Sequence, residues 1–217
     1  DHGDYLGDHW LGEKDLFHDP SVRVPMIVYD PSPEADATRG TVNDALVESI
    51  DLLPTFVDMA GGTPRYEWLE GRSLMPLIRG ETPSDWRKYT ISEYDFSITP
   101  MAGRLDLVPK DARLFMVADD RWKFMHAEGG FPPMLFDLQN DPHELNDLGR
   151  DPAYGAAVAD CYDRLFEWAR RSSQRTTISD QQIDERRGKT RRKGIVLGIA
   201  DDTCLLYTSP SPRDGTK

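Results

Sequence analysis

Short apolar runs alternate with polar turn sequences along the first part of the chain, and they predict a mixed α/β structure. Residues 23–29, Arg-Val-Pro-Met-Ile-Val-Tyr, form a β-branched run that ends in an Asp-Pro-Ser-Pro turn signal, which predicts a buried strand. Residues 41–60 carry apolar side chains at three- and four-residue spacing and predict a helix. Pro54 should interrupt this helix or start a second one, and Gly61 and Gly62 should end it.

From residue 89 onward the pattern changes to four short strand-like runs, at 89–93, 114–118, 121–125 and 134–137. Together they predict a small antiparallel sheet, in which Asp119-Asp120 forms a hairpin turn. A helix is predicted to follow over residues 153–171, with one apolar face formed by Val158, Cys161, Leu165, Phe166 and Ala169.

The formal net charge of the 217-residue chain is −12, which argues against nucleic acid or an anionic membrane surface as the main partner. No apolar run reaches the roughly 18 residues that a bilayer-spanning helix needs, so no membrane span is expected. The two cysteines, Cys161 and Cys204, form no metal or redox motif, and a disulfide framework is not expected.

The candidate chemistry lies at the start of the sequence. Asp1 and His2 are adjacent, and Gly3 gives the backbone the freedom to turn both side chains towards one ion. Lys14 follows in a Gly-Glu-Lys sequence. A protonated lysine cannot ligate a metal, but it can hold the anionic oxygens of a sulfuryl or phosphoryl group or stabilise a leaving alkoxide. Because surface Asp-His pairs near a lysine are common, these residues alone do not establish a site.

Asp1 and His2 offer one hard carboxylate oxygen and one imidazole nitrogen. An all-oxygen site would suit calcium or magnesium, whereas an added imidazole moves the preference towards manganese, iron or zinc. Two ligands are too few for a complete metal site, so further ligands are expected upstream of Asp1.

Four ordered motifs resemble the sulfatase family of the alkaline phosphatase superfamily. The first is residues 1–25, with Asp-His-Gly-Asp-Tyr-Leu-Gly-Asp-His, then Glu-Lys, then Asp-Pro-Ser-Val-Arg-Val-Pro. Residues 51–55 are similar to the family's helix after the core strand, and residues 71–77 to its Gly-x-Ser-Leu-x-Pro-Leu turn. Residues 135–148 are similar to its late segment around Asp-Pro-x-Glu. The resemblance covers about residues 1–202.

The resemblance implies a role for each residue of the N-terminal cluster. Asp1 and His2 match the family's downstream metal-ligand pair, and one divalent metal ion, manganese or calcium, is the expected cofactor. Lys14 matches the lysine that contacts substrate or leaving-group oxygens and is the expected catalytic residue. The family's nucleophile is a formylglycine made from the cysteine of a Cys-x-Pro-x-Arg motif, and neither Cys161 nor Cys204 stands in such a motif. The nucleophile is therefore expected upstream, with this chain an incomplete fragment that has no turnover alone.

The implied function is a metal-dependent hydrolase that takes a small anionic ester as substrate. The Asp-His pair, its short distance from Lys14 and the 181–198 segment favour the phosphonate monoester hydrolase and phosphodiesterase branch, whose members often act on sulfate esters as well. The alternative is an arylsulfatase or choline-sulfatase-like sulfate monoester hydrolase. A hypothesis of another class is a non-catalytic assembly module, in which the basic run 186–193 and the apolar run 194–199 would matter most. The full-length protein is expected to be a homo-oligomer, and a cytoplasmic location is favoured over a periplasmic one.

Four further polar residues have competing interpretations. His18 is a candidate for supporting the site or the substrate, against a purely structural hydrogen bond. Arg23 is a candidate of the same kind and is expected to buttress the loop through a carboxylate pair. His9 is expected to be solvated, and Asp51 to serve its helix rather than a metal.

The fold class expected is α/β, the C-terminal part of an alkaline-phosphatase-like sandwich. Residues 1–84 would be the end of the catalytic α/β core, and residues 85–175 a small antiparallel sheet plus helix subdomain. Residues 176–203 would be a C-terminal extension that makes oligomer contacts. Residues 204–217 resemble a translated sequencing adapter, which indicates a metagenomic sequence, and are expected to form a disordered tail that did not evolve with the fold.

Overall fold

A four-stranded antiparallel sheet is the main β-structure of the protein. The computed structural model describes residues 2–170, 200–201 and 204–205. Chain order and spatial order coincide in the sheet, whose strands are β1 (Thr90–Asp95), β2 (Arg113–Ala118), β3 (Trp122–Ala127) and β4 (Met134–Asp137). This meander confirms the antiparallel sheet that the four short apolar runs predicted.

The β2–β3 hairpin turns where the sequence places two aspartates. Asp119 N–H donates to the Trp122 carbonyl at 2.9 Å. The Asp119 carboxylate accepts the N–H groups of Arg121 and Trp122 at 2.8 and 2.6 Å. A short side chain that satisfies turn amides in this way is the reason why aspartate favours tight turns. The predicted hairpin turn is confirmed.

Both faces of the sheet are covered by other segments, and alternate residues of each strand point to opposite faces. One face carries the buried apolar residues Phe17, Met116, Ala118, Met125 and Phe136. The other face carries Val117, Phe124, Leu135 and Cys161. Phe17 comes from the N-terminal part of the chain and Cys161 from the last described α-helix, so these two segments pack on opposite faces.

The α-helices are short except for the last, and their bounds are α1 (Asp19–Val22), α2 (Leu52–Met59), α3 (Met75–Ile78), α4 (Pro100–Arg104) and α5 (Gly155–Ala169). Single 3-10 turns occupy Asp8–Trp10, Pro33–Ala35, Ser49–Asp51, Pro109–Asp111 and Pro152–Tyr154. Helix α5 confirms the helix predicted over 153–171, although Phe166, predicted on its buried face, is exposed. In the described part of the chain, no helix combines the length and the apolar character that crossing a bilayer requires.

The helix predicted over residues 41–60 is only half right, because the chain before Glu48 is not helical. Asp51 explains the late start: its carboxylate accepts the Glu48 N–H at 2.8 Å, the capping interaction that sets a helix N-terminus. Pro54 lies in the first turn of α2, where a missing N–H is tolerated. Gly61, with φ of 73°, ends the helix as predicted.

The strand predicted over residues 23–29 is wrong. The segment has no regular secondary structure, and Ile27 and Tyr29 are 92% and 72% exposed. An extended apolar run becomes a strand only where a neighbour satisfies its backbone groups, and the described sheet strands β1–β4 pair only with one another. Helix α2 also exposes apolar side chains, among them Leu53 and Phe56.

Residues 1–176 form one compact unit and residues 177–217 a second. In the second unit, Ala200–Asp201 and Cys204–Leu205 form a small antiparallel pair, with Ala200 opposite Leu205. The apolar run 194–199 and most of the adapter-like tail lie outside the described residues. The predicted division into residues 1–84, 85–175, 176–203 and 204–217 therefore stays a prediction.

Candidate functional site

Residues 2–23, which we call the site loop, fold back on themselves through nested backbone hydrogen bonds. The Gly7 N–H donates to the Leu11 carbonyl (2.9 Å), the Tyr5 N–H to the Glu13 carbonyl (2.9 Å), and the Gly3 N–H to the Ser21 carbonyl (3.1 Å). The pairing of early with late positions makes the loop a compact hairpin-like unit. Its first and last residues are thereby brought together.

Ser21 links the two parts of the loop that carry the candidate chemistry. Its carbonyl accepts the Gly3 N–H, and its hydroxyl donates to the Lys14 carbonyl at 2.6 Å. Glycine is required at position 3, because a Cβ there would lie 2.0 Å from the Pro20 carbonyl oxygen. The structure therefore holds Lys14 and the neighbour of His2 on one buried serine.

The backbone of the site loop is strained. Four non-glycine residues have left-handed φ angles between 49° and 61°, namely Leu6, His9, Trp10 and Glu13. Each such residue costs on the order of 1 kcal/mol, and the strain persists only where surrounding contacts impose it. Strain of this kind is typical of loops whose shape serves a function.

His2 lies at the exposed surface with one ring nitrogen available. Its Nδ1 is 2.7 Å from the Gly3 carbonyl oxygen, and since a carbonyl only accepts, Nδ1 carries the proton in this contact. In the neutral ring, Nε2 is then the nitrogen with a lone pair, as in histidines that bind metals. Asp1, the other predicted ligand, lies outside the described residues.

The predicted divalent ion can be tested against the donors that are present. No group of three or more His, Cys, Asp or Glu side chains among the described residues could hold a metal ion. Of the two predicted ligands only His2 is described, and one donor cannot hold an ion by itself. The metal site therefore stays a prediction that needs Asp1 and further ligands.

Lys14 combines a fixed backbone with an uncommitted side chain. Its carbonyl is held by Ser21, whereas its ammonium is exposed and forms no ion pair with any described residue. An ammonium in this state can donate hydrogen bonds to an incoming anion without first breaking an ion pair. The catalytic role of Lys14 is compatible with this geometry and stays a prediction.

A buried tyrosine–histidine pair supports the site loop. Tyr5 Oη is hydrogen-bonded to His18 Nδ1 at 2.9 Å and accepts the His18 N–H at 3.2 Å. The His9 ring stacks on His18 with centroids 4.1 Å apart, so His9 is half-buried rather than solvated. Burial, followed by the nearby charges of His9 and Lys123, lowers the pKa of His18 to about 4. His18 thus makes the structural hydrogen bond that was one of its two predicted roles.

This lowered pKa predicts a pH-dependent stability. Unfolded His18 gains a proton near pH 6.5, whereas folded His18 does so only near pH 4. The unfolded state therefore binds more protons between these values, and stability falls as the pH drops through this window, by up to about 3 kcal/mol. In urea unfolding at pH 7 and pH 4.5, His18→Gln should lose less stability on acidification than the wild type. His143→Gln, which changes an exposed histidine, should behave like the wild type.

Arg23 forms the carboxylate pair that the sequence predicted. Its Nη1 lies 3.3 Å from Asp19 Oδ2, and its side chain is 83% exposed. An ion pair this exposed contributes little to stability. A contact of Arg23 with substrate stays a prediction.

Sequence reasoning missed Ser21 and Tyr5. Both lie within the family-like motif of the N-terminal residues, but neither the residue type nor its spacing indicates a role. Their partners, Lys14 and His18, are 7 and 13 residues away in the sequence. The only usable signal was their position between the candidate residues.

Comparison with known proteins agrees with the resemblance seen in the sequence. Residues 7–171 match the family model described as N-sulphoglucosamine sulphohydrolase, C-terminal. The chain is 36% identical over 180 residues to the multifunctional alkaline phosphatase superfamily protein PehA of Trinickia caryophylli, covering 81% of this chain and 34% of PehA. It is 33% identical over 155 residues to an arylsulfatase of Clostridium perfringens, covering 71% of this chain and 29% of that enzyme.

Solved structures show the same similarity. The phosphonate monoester hydrolase of Agrobacterium radiobacter superposes with a TM-score of 0.69 at 30% identity, covering 76% of this chain and 33% of that one. The phosphonate monoester hydrolase of Silicibacter pomeroyi superposes with a TM-score of 0.64 at 30% identity, covering 95% and 37%. The predicted resemblance and fold class are confirmed. The chain spans about one third of the length of these relatives.

Proposed function

Because the chain belongs to the family described as N-sulphoglucosamine sulphohydrolase, C-terminal, we propose that it forms the C-terminal part of a metal-dependent hydrolase. The proposed substrates are phosphonate monoesters or phosphodiesters, with sulfate esters as additional substrates. The observation that carries the proposal is that Ser21 bonds both the Gly3 N–H, next to His2, and the Lys14 carbonyl. This arrangement supports the proposal, because it joins the segments of His2, the proposed metal donor, and of Lys14 through one residue.

The proposed roles follow from the chemistry of the two side chains. His2, through Nε2, would hold one divalent ion together with Asp1 and ligands outside this chain. Such an ion polarises the bond between the central atom and its oxygens. Lys14 would donate hydrogen bonds to the anionic oxygens of the transferred group or to the leaving oxygen, where negative charge develops. Because Ser21 holds the Lys14 backbone, only the side chain has to be ordered when the ammonium binds an anion.

The nucleophile is proposed to come from residues outside this chain. Cys161 is 1% exposed, and burial raises the pKa of its thiol to about 12. A thiol in that environment is not a nucleophile at neutral pH. The sequence also contains no Cys-x-Pro-x-Arg motif. The proposed activity therefore requires a longer protein, of which this chain would be the C-terminal part.

The substrate preference rests on the named relatives. Phosphonate monoester hydrolases stand among the similar structures, whereas an arylsulfatase and a choline-sulfatase stand among the similar sequences. Both groups of substrates present a charged tetrahedral centre, which a metal ion and a lysine can bind in the same way. Sulfate monoesters are thus the second candidate class for the same site.

The test compares the intact protein, expressed from its complete reading frame, with the 217-residue chain. With p-nitrophenyl phenylphosphonate, bis(p-nitrophenyl) phosphate and p-nitrophenyl sulfate, we expect hydrolysis by the intact protein and none by the chain alone. Chelation should abolish the activity, and added Mn²⁺ should restore it. Turnover by the isolated chain, or full activity of the intact protein after removal of its metal, would contradict the proposal.

His2→Ala in the intact protein should lower kcat/KM by at least about 10²-fold, because a lost ligand weakens a contribution of several kcal/mol. Metal content per protein, measured by elemental analysis, should fall in parallel. His143→Ala removes another exposed imidazole and should change neither quantity. Retention of the metal by the His2 variant would exclude His2 as a ligand.

A further inference from the structure

A buried lysine lies under the site loop. The side chain of Lys123, on β3, is 2% exposed. It forms ion pairs with Asp19, at the start of α1, and with Glu144, whose Oε1 lies 2.8 Å from Nζ. Lys123 is two residues from Met125, so it lies on the sheet face that the site loop covers.

Glu144 makes a second contact with the same helix. Its Oε2 accepts the Asp19 N–H at 2.7 Å, and its side chain is 1% exposed. The backbone of Glu144 is left-handed, with φ of 54°, so the chain accepts strain to aim this carboxylate inwards. One glutamate thereby fixes both the backbone of α1 and the lysine beneath it.

The buried cluster has one positive charge for two negative ones, and the exposed Arg23 balances it. Lys123 and Arg23 supply two positive charges, and Asp19 and Glu144 supply two negative ones. Buried ion pairs add little stability compared with apolar residues of the same volume, because both charges lose their hydration. Stability alone therefore does not account for a lysine and a glutamate in this position.

Helix α1 connects this charged cluster to the candidate site residues Lys14 and His2. Asp19 opens α1, and Ser21 in the same helical turn holds the Lys14 carbonyl and the Gly3 N–H. Gly3 packs so closely on α1 that not even a Cβ would fit between them. A shift of α1 would therefore be transmitted to Lys14 and to His2, which adjoins Gly3.

We propose that Glu144 and Lys123 are positioning residues that hold α1 through Asp19, and through α1 set the geometry of Lys14 and His2. This inference rests on the proposed function for its catalytic consequence, whereas its structural part stands without it. It assigns the late segment of the chain to the support of a site formed by the earliest residues.

The test uses three variants of the intact protein. Lys123→Met leaves Glu144 buried without its cation and leaves Asp19 only the exposed Arg23 as a partner, so its unfolding midpoint should fall clearly. Lys123→Met combined with Glu144→Leu removes two buried charges and should recover much of the midpoint. Because Asp19 N–H then lacks its acceptor, amide hydrogen exchange in peptides from residues 2–23 should stay faster than in the wild type. We also expect kcat to stay roughly 10- to 100-fold low, since small misplacements of catalytic groups have effects of that size.

Arg164→Met is the matched control. Arg164 pairs with Asp119 and Asp160, on the face of the sheet that α5 covers. This variant should lose stability without faster exchange in residues 2–23 and without a change in kcat. If the double variant regains wild-type exchange in the site loop along with its midpoint, the positioning role is overturned. If exchange rises as expected but the wild-type protein has no hydrolase activity, the proposed function fails and the positioning role stands.

Discussion

Replacing Arg87 with methionine is expected to lower the free energy of unfolding by about 3–5 kcal/mol. Asp51 is fully buried, with 0% exposure, and Arg87 donates to both of its carboxylate oxygens. Arg87 Nε also lies 3.2 Å from Glu48 Oε2. Without the guanidinium, two carboxylates close to each other would lose their cation in a region with little water.

Urea or thermal unfolding measures this effect directly. Arg23→Met is the control, since it removes an arginine from an ion pair at the surface and should change stability by no more than about 0.5 kcal/mol. The large effect should shrink at low pH, where Glu48 becomes protonated, because burial raises the pKa of its carboxyl above the ordinary value. Equal losses in the Arg87 and Arg23 variants would show that the buried position adds nothing.

The same residues illustrate what a sequence can and cannot predict. Asp51 was expected to serve its helix, and the structure confirms it: its carboxylate caps the turn before α2. Its main partner, Arg87, is 36 residues away and carries no local signal. Capping depends on near neighbours and is visible in the sequence, whereas a buried ion pair is decided by the tertiary fold.

The strands show the same division. β2 and β3 were predicted because a short turn joins two apolar runs, so each run has its partner close by in the sequence. Residues 23–29 have an equally apolar pattern, yet no described strand lies beside them. The pattern indicates that a segment is extended and apolar. Strand pairing also requires a neighbouring strand, which the pattern does not identify.

In the candidate site, sequence and resemblance identified the side chains but not their support. His2 and Lys14 were found from residue type and motif, and the structure joins their neighbourhoods through Ser21. Glu144 acts on Asp19 across 125 residues. The motif around Glu144 was visible in the sequence, but only the fold shows where its carboxylate points.

Lys14→Ala in the intact protein is expected to lower kcat/KM by about 10²- to 10³-fold, the usual effect of removing one donor aimed at developing negative charge. The unfolding midpoint should hardly change, because the ammonium is exposed and has no ion-pair partner among the described residues. Lys110→Ala is the matched control, since Lys110 is 80% exposed and pairs only with its neighbour Asp111 in the described structure. It should leave both quantities unchanged.

A series of leaving groups then separates the two roles that the chemistry allows for Lys14. If its ammonium stabilises the leaving oxygen, the loss in Lys14→Ala should grow as the leaving alcohol becomes less acidic, because more charge then needs to be neutralised. If it holds the non-bridging oxygens, the loss should be nearly the same for every leaving group. Lys14→Arg keeps the charge and should recover part of the activity in the second case, since a guanidinium binds anionic oxygens well. A loss of less than about threefold in Lys14→Ala for all leaving groups would exclude both roles, because a catalytic donor contributes far more than that.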